Sequence, residues 1–210
     1  MTNPLAEPTS TEQVDAWIAQ HLQTQDRFAH VVQLSEGHRA QHGCDVYPSR
    51  SGHLLGILAG ALPARRILEV GCGLGYSALW LAWGAGPAAR VETIEQDETH
   101  AAIARALVRD AGYGEQMQLH VGDYRAVLPQ LTGPYDLVFS DAAVPGPDDL
   151  TQFARLVRRD GLLLTSNLFL GVYDPQHPDL PAGAVYRRQV LENEEWSTAF
   201  VGMKALSRRR

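Results

Sequence analysis

Cysteine is scarce in this chain of 210 residues, which has only Cys44 and Cys72. Two thiols cannot build the bridged framework of a small secreted domain, and Cys72 lies within a glycine turn, so a cytoplasmic protein with reduced thiols is expected. Neither thiol has the setting of an activated nucleophile. Long hydrophobic runs are also missing. No stretch reaches the roughly 18 apolar residues that span a bilayer, and the polar, proline-containing start Met1–Ser10 has no signal-peptide core, so no membrane partner is expected. A basic excess is absent too. There are 18 basic and 24 acidic residues, a net charge of −6, and the basic ones are dispersed apart from Arg208-Arg209-Arg210, read as a solvated tail. That balance argues against a nucleic-acid partner. There is no internal repeat and no low-complexity segment. What is present, 45% apolar residues over this length, is ample for the core of one domain.

One stretch organises the rest. Ile67-Leu68-Glu69-Val70 is an apolar run that breaks into Gly71, Gly73 and Gly75 and resumes at Tyr76-Ser77 as an apolar helix. It reads as a buried parallel strand turning sharply into a helix. Glycines there permit positive φ and remove Cβ atoms, so a small ligand can lie against bare backbone beside the free N–H groups of a helix N-terminus. A dinucleotide fingerprint has its third glycine where this chain has Tyr76, which counts against NAD. The cofactor S-adenosylmethionine has no phosphate and carries an ammonium, and Glu69 is placed to hold that charge directly or through water.

Before the turn the pattern is helical. Thr9 to Gln13 provides capping choices for a helix with Val14, Trp17, Ile18 and Leu22 on one face. A second helix is expected over about Asp26 to Ala40 with Phe28, Val31, Val32 and Leu34 as apolar positions, and a third, capped by Ser49 or Ser51, through Leu62 with Leu54, Leu55, Ile57 and Leu58 turned to a core. His21, His30, His38, His42 and His53 enrich this region in histidine, without paired ligand spacing. Solvated helix faces are the expectation.

After Arg66 strands and helices alternate, the signature of a doubly wound parallel sheet. The predicted strands are Ile67–Val70, Arg90–Ile94, Met117–Val121, a run ending at Asp141, and Leu162–Thr165. Predicted helices are Ser77–Trp83, ended by Gly84 and Gly86, then Glu98–Ala111, Tyr124–Leu131, Asp149–Arg158 and a polar one near Val185–Glu194. Ser197–Val201 and Lys204–Ser207 would form a hairpin across Gly202-Met203. Glu95 closes the second strand, where a carboxylate can accept both hydrogen bonds of a ribose diol. Asp123 of Gly122-Asp123 could meet an adenine amino group, and Asp141 ends another buried strand at the same edge.

Glu69-Val-Gly-Cys-Gly-Leu-Gly-Tyr-Ser77, Glu95, Gly122-Asp123 and Phe139-Ser-Asp141, in that order, resemble class I S-adenosylmethionine-dependent methyltransferases. More narrowly, Val46-Tyr-Pro-Ser49 with Gly52-His-Leu-Leu55, and Ser166-Asn167-Leu168 with Gly171, resemble the catechol and caffeoyl-CoA O-methyltransferase group. The resemblance implies an α/β fold with a Rossmann-like doubly wound sheet, mostly parallel with a C-terminal antiparallel hairpin and helices on both faces. Residues 46–210 would be the methyltransferase domain, and 1–45 a helical extension serving as lid or dimer contact in a homodimer. S-adenosylmethionine would be the cofactor and S-adenosylhomocysteine the product. Val46, Glu69, Gly71, Cys72, Gly73, Gly75, Ser77, Glu95, Gly122, Asp123, Tyr124 and Asp141 would bind it.

The family also holds a divalent metal such as magnesium with an Asp after the fourth strand and an Asp-Asn pair after the fifth. Asp141 and Asn167 match, but Ser166 replaces the second Asp, removing one unit of charge from a hard-cation oxygen site. The family's Asp-Ala-Asp-Lys segment reads Asp141-Ala142-Ala143-Val144, so Val144 stands where the resemblance implies a general-base lysine. Asp141 then ranks first as base, ahead of a histidine folded over the pocket or Tyr173 in the following loop, while His177 reads as a loop residue. Transfer of a methyl group from sulfonium to oxygen needs alignment, exclusion of water and help in deprotonating the acceptor. The expectation is O-methylation of a small hydroxylated, aromatic acceptor with weakened or lost metal dependence. The competing reading is a cofactor-binding or regulatory protein whose catalytic half has decayed.

Overall fold

Strand parity sets the layers of the molecule, seen in a computed structural model that describes residues 9–49 and 51–210. Most of the polar start, residues 1–8, lies outside the described residues. The strands are β1 (Arg66–Val70), β2 (Arg90–Glu95), β3 (Met117–Val121), β4 (Tyr135–Ser140), β5 (Val157–Thr165), β6 (Trp196–Val201) and β7 (Lys204–Arg209). They form one seven-stranded sheet in the order β3-β2-β1-β4-β5-β7-β6, parallel through β5 and antiparallel across the β6–β7 hairpin. Ile67, Val91, Leu137, Phe139 and Leu164 pack on one face, and Leu68, Val70, Ile94, Val138 and Leu163 on the other. Successive side chains of a strand point to opposite faces, so both faces need a helical layer.

The first face is covered by α2 (Ala29–His42), α3 (Gly52–Ala61), α4 (Tyr76–Ala85) and α5 (Glu98–Asp110), and the second by α7 (Pro147–Leu156) and α8 (Leu180–Glu192), with the short α6 (Tyr124–Val127) at its edge. This is the doubly wound fold that the sequence predicts. Among the described residues no helix is long and apolar enough to cross a membrane.

Some local expectations give way to packing. Gly84 does not end α4, which runs on to Ala85. It sits inside the helix because α3 passes close by: a Cβ at Gly84 would lie 2.1 Å from the Gly56 carbonyl oxygen. That approach turns Gly52, Leu55, Gly56 and Ala59 inward and leaves Ile57 65% exposed, contrary to its expected place in the core. Leu34 on α2 is likewise exposed. Helix α1 (Thr11–Thr24) forms as predicted, with Ser10 accepting from the Gln13 N–H at 3.2 Å, but it buries none of its residues.

Strand β5 starts five residues earlier than Leu162, and α7 stops at Leu156. Asp136 explains the extension. One of its oxygens accepts the Arg158 guanidinium at 2.6 Å, while the other accepts the Arg65 and Arg66 N–H groups at 2.7 and 2.9 Å. The register against β4 shifts between Tyr135 and Leu137, and Asp160 takes a left-handed φ of 62° in the bulge. The terminal arginines are no solvated tail. Arg208 and Arg209 belong to β7, where Arg208 pairs with Asp160 and Arg209 donates to the Val157 carbonyl at 2.5 Å.

Candidate functional site

Between β1 and β4 the direction of sheet growth reverses, opening the crevice where ligands of such sheets bind. Register aligns the ends: Val70 pairs with Ile94 and with Ser140, so Gly71, Glu95 and Asp141 emerge at one edge. A cavity of about 510 Å³ lies there. Of the residues singled out from sequence, Val46, Gly71, Cys72, Gly73, Ser77, Glu95, Gly122, Asp123, Tyr124 and Asp141 line it. Glu69 and Gly75 stand behind the turn, and Ser166 and Asn167 are outside the lining.

The turn has the predicted left-handed glycines, with φ of 95° at Gly71, 52° at Gly73 and 93° at Gly75. A Cβ at Gly71 would come within 2.8 Å of the Ala142 backbone, so this glycine is needed for close approach as well. The Gly73 N–H donates to Glu95 Oε2 at 2.7 Å, and the Asp97 N–H to Oε1 at 3.0 Å. These bonds hold the Glu95 carboxylate in place while lone pairs remain for a diol. Tyr76, in place of a third fingerprint glycine, reaches the other way and donates to Asp26 Oδ2 at 2.7 Å. It ties the start of α2 to the turn.

Glu69 is fully buried. Its Oε2 accepts the Thr93 hydroxyl at 2.6 Å, whereas Oε1 has no hydrogen-bond partner among the described residues. Burial raises its pKa to about 7; the hydroxyls of Ser77 and Thr93 oppose the shift, and the charges of Asp141 and Glu95 add to it. A buried carboxyl with an orphaned oxygen calls for a hydrogen-bonding partner. The adjacent Cys72 thiol is pushed well up by burial, which agrees with its reading as inert.

Beyond β3, Asp123 Oδ1 caps α6 by accepting the Arg125 N–H at 2.9 Å. Tyr124 donates to Asp149 Oδ2 at 3.1 Å, and the same oxygen accepts the Gly146 N–H at 2.8 Å. Asp149 escaped the sequence reading; its only signal was an acidic residue in the first turn of α7. Asp97, another lining residue, caps α5 by accepting the Thr99 and His100 N–H groups at 2.8 and 3.0 Å.

At the end of β4, burial pushes the Asp141 pKa up to about 6, against the pull of Lys204 and of the Ser166 and Ser49 hydroxyls. Neither hydroxyl forms a hydrogen bond of ordinary geometry, so Lys204 is the firmer influence. Lys204 opens β7 and could not be placed near Asp141 without knowing that β7 lies beside β5. Asn167 adopts a left-handed φ of 60°, and its amide donates to the Asp141 carbonyl at 3.3 Å. Val144, at the position of the family lysine, is a packing residue: a Cβ on Gly183 would meet its Cγ1 at 2.6 Å.

The histidines are not all on solvated faces. His21, His30 and His42 are exposed, but the His53 ring packs tilted against Trp80 at 4.4 Å, with its Nε2 buried and unpartnered among the described residues. His38 comes together with Cys44 and His100.

A mostly parallel doubly wound sheet, a glycine turn at its switch point and strand-end carboxylates around one cavity define a Rossmann-like methyltransferase. Within that class the chain belongs to the O-methyltransferase family, whose model matches residues 30–178. It is similar to a catechol O-methyltransferase of Mycobacterium tuberculosis, 42% identical over 125 residues, 59% of this chain and 57% of that one. It is also similar to a catechol O-methyltransferase of Niastella koreensis, 32% identical over 160 residues, 74% of this chain and 72% of that one. The cofactor-bound structure of Rv0187 from M. tuberculosis superposes with a TM-score of 0.80 at 30% identity, covering 97% of this chain and 99% of that one. The O-methyltransferase TomG from Streptomyces achromogenes, in complex with S-adenosylmethionine, gives 0.74 at 28% identity over 85% and 89% of the two chains.

Proposed function

We propose that this chain methylates an oxygen of a small hydroxylated, aromatic acceptor with S-adenosylmethionine, without dependence on a tightly held divalent metal. The observation that carries the cofactor half is the orphaned Glu69 Oε1, buried behind a glycine turn that borders a cavity of about 510 Å³. When bound, the cofactor supplies a methyl group on a sulfonium. Glu69, directly or through water, balances its ammonium; Glu95 receives the ribose hydroxyls; Asp123 faces the adenine amino group. Gly71, Cys72, Gly73 and Gly75 keep the backbone low enough for the cofactor to lie against it, with Val46, Ser77, Gly122 and Tyr124 as further walls.

The residues fit a hard cation poorly: Asp141 is the one carboxylate, joined by the neutral Ser166 and Asn167, which leaves one unit of charge fewer than the family's pattern implies. Lys204 already pulls on the Asp141 charge. Asp141 is instead the group that takes the acceptor proton, and an aromatic hydroxyl is acidic enough to suit so mild a base.

The test is a product assay by mass spectrometry with a panel of phenolic and aliphatic alcohols, run with magnesium and with a chelator. O-methyl product from a phenol, changed less than about threefold by the chelator, is the expected result. Binding of S-adenosylhomocysteine with no product from any acceptor would instead establish the decayed, cofactor-binding reading. Product only when magnesium is present would overturn metal independence.

A further inference from the structure

Two segments far apart in sequence, residues 38–44 and the start of α5, bring one thiol and two imidazoles together. His38 lies near the end of α2. Gly43, at φ 63°, closes that helix and turns the chain so that Cys44 returns beside it, and His100 stands in the first turn of α5. The ligating atoms of these three residues all lie within 4.8 Å of one another. His100 is buried, and His38 and Cys44 are half-buried. The His38 ring meets that of His100 at 5.2 Å, edge to face, and that of His42 at 4.4 Å.

We propose that His38, Cys44 and His100 form a binding site for a borderline-soft transition-metal cation of the zinc class. A thiolate with two imidazoles is the donor set such ions select, and one that magnesium and calcium avoid. Zinc bonds of about 2.0–2.3 Å place neighbouring ligand atoms roughly 3.3–3.8 Å apart. Side-chain rotation at the half-buried His38 and Cys44 supplies the remaining contraction. His42, one turn beyond His38 and exposed, is within reach of the fourth position.

One further feature suits a cation: His100 Nδ1 lies 3.8 Å from Glu95 Oε1, too far for a hydrogen bond but close enough for that carboxylate to favour a positive charge nearby. Cys44 and His100 border the cofactor cavity. An ion there would pin α2, the segment leading to Val46 and α5 into one wall. The site is separate in position and chemistry from Asp141 and Asn167, and it stands whether or not the proposed methyl transfer is correct.

The full chain, stripped with a chelator, would be titrated with cobalt as a spectroscopic stand-in and with zinc against a competing chelator. One equivalent of zinc should bind, and cobalt should give a thiolate-to-metal charge-transfer band. That band should vanish in Cys44→Ser and persist in Asp141→Asn, and zinc affinity should fall at least about 100-fold in both Cys44→Ser and His38→Ala. His38→Ala, a second and independent ligand substitution, keeps the test decisive should Cys44→Ser fail to fold. No stoichiometric zinc binding, a band that survives Cys44→Ser, or wild-type affinity in His38→Ala would overturn the proposal.

Discussion

Glu69 carries a charge that its surroundings oppose, and that opposition is measurable. Its pKa in the fold is about 7 against an ordinary value of 4.5, so the folded state prefers the neutral form. The associated stability is fully present below about 4.5 and is lost as pH rises through about 7, on the order of 3 kcal/mol in all. Thermal melts of the cofactor-free protein should therefore fall across that window, and Glu69→Gln should flatten this part of the profile. A bound ammonium reverses the preference, so binding of S-adenosylhomocysteine near pH 6.5 should release a proton. Calorimetry in buffers of different ionisation enthalpy reads that proton directly. Asp141 is tested differently: Asp141→Asn should lower kcat on a phenolic acceptor by about 10²-fold or more while S-adenosylhomocysteine affinity changes less than tenfold.

At the scale of elements, α3 and α4 meet through glycines. A Cβ at Gly84 would collide with backbone, the Gly56 carbonyl at 2.1 Å, and no side-chain rotation can relieve that. Gly84→Ala should thus destabilise by about 3 kcal/mol or more, read as a lower urea midpoint, despite the higher helix propensity of alanine. Helix α1 presents the opposite case. Val14, Trp17, Ile18 and Leu22 are 37–45% exposed and form an apolar face that the described chain leaves uncovered. The homodimer implied by the family resemblance would cover it. Light scattering should give twice the chain mass, and Trp17→Glu with Ile18→Glu should return it to the monomer. Both helices were legible in the sequence, but their burial was not. Hydrophobic spacing located α1 and α3, whereas the burial of each face depends on what packs against it.

At the scale of the whole molecule, local signals carried far. The apolar runs ending in Glu95 and Asp141 marked strands delivering carboxylates to one edge, and the spacing of Gly71, Gly73 and Gly75 marked the turn, because each is a property of a few consecutive residues. Features made by distant segments stayed hidden. The charge of Lys204 acts on Asp141 only because β7 runs antiparallel beside β5, and His38, Cys44 and His100 meet only when α2 is laid against α5. Asp136 likewise looks like any polar residue after a tyrosine, yet it gathers Arg65, Arg66 and Arg158 and so lengthens β5.

The insertion of β4 beside β1 bears on how the protein is made. On the ribosome, β1 and β2 can pair as soon as they emerge, but the far edge of β1 stays bare until Tyr135–Ser140 has been synthesised. The crevice has only one wall until then. A nascent chain stalled before that strand would hold the entire glycine turn yet lack Asp141, Ala142 and Ala143 of the cavity lining, so the cavity is completed by a segment that never belongs to the turn itself.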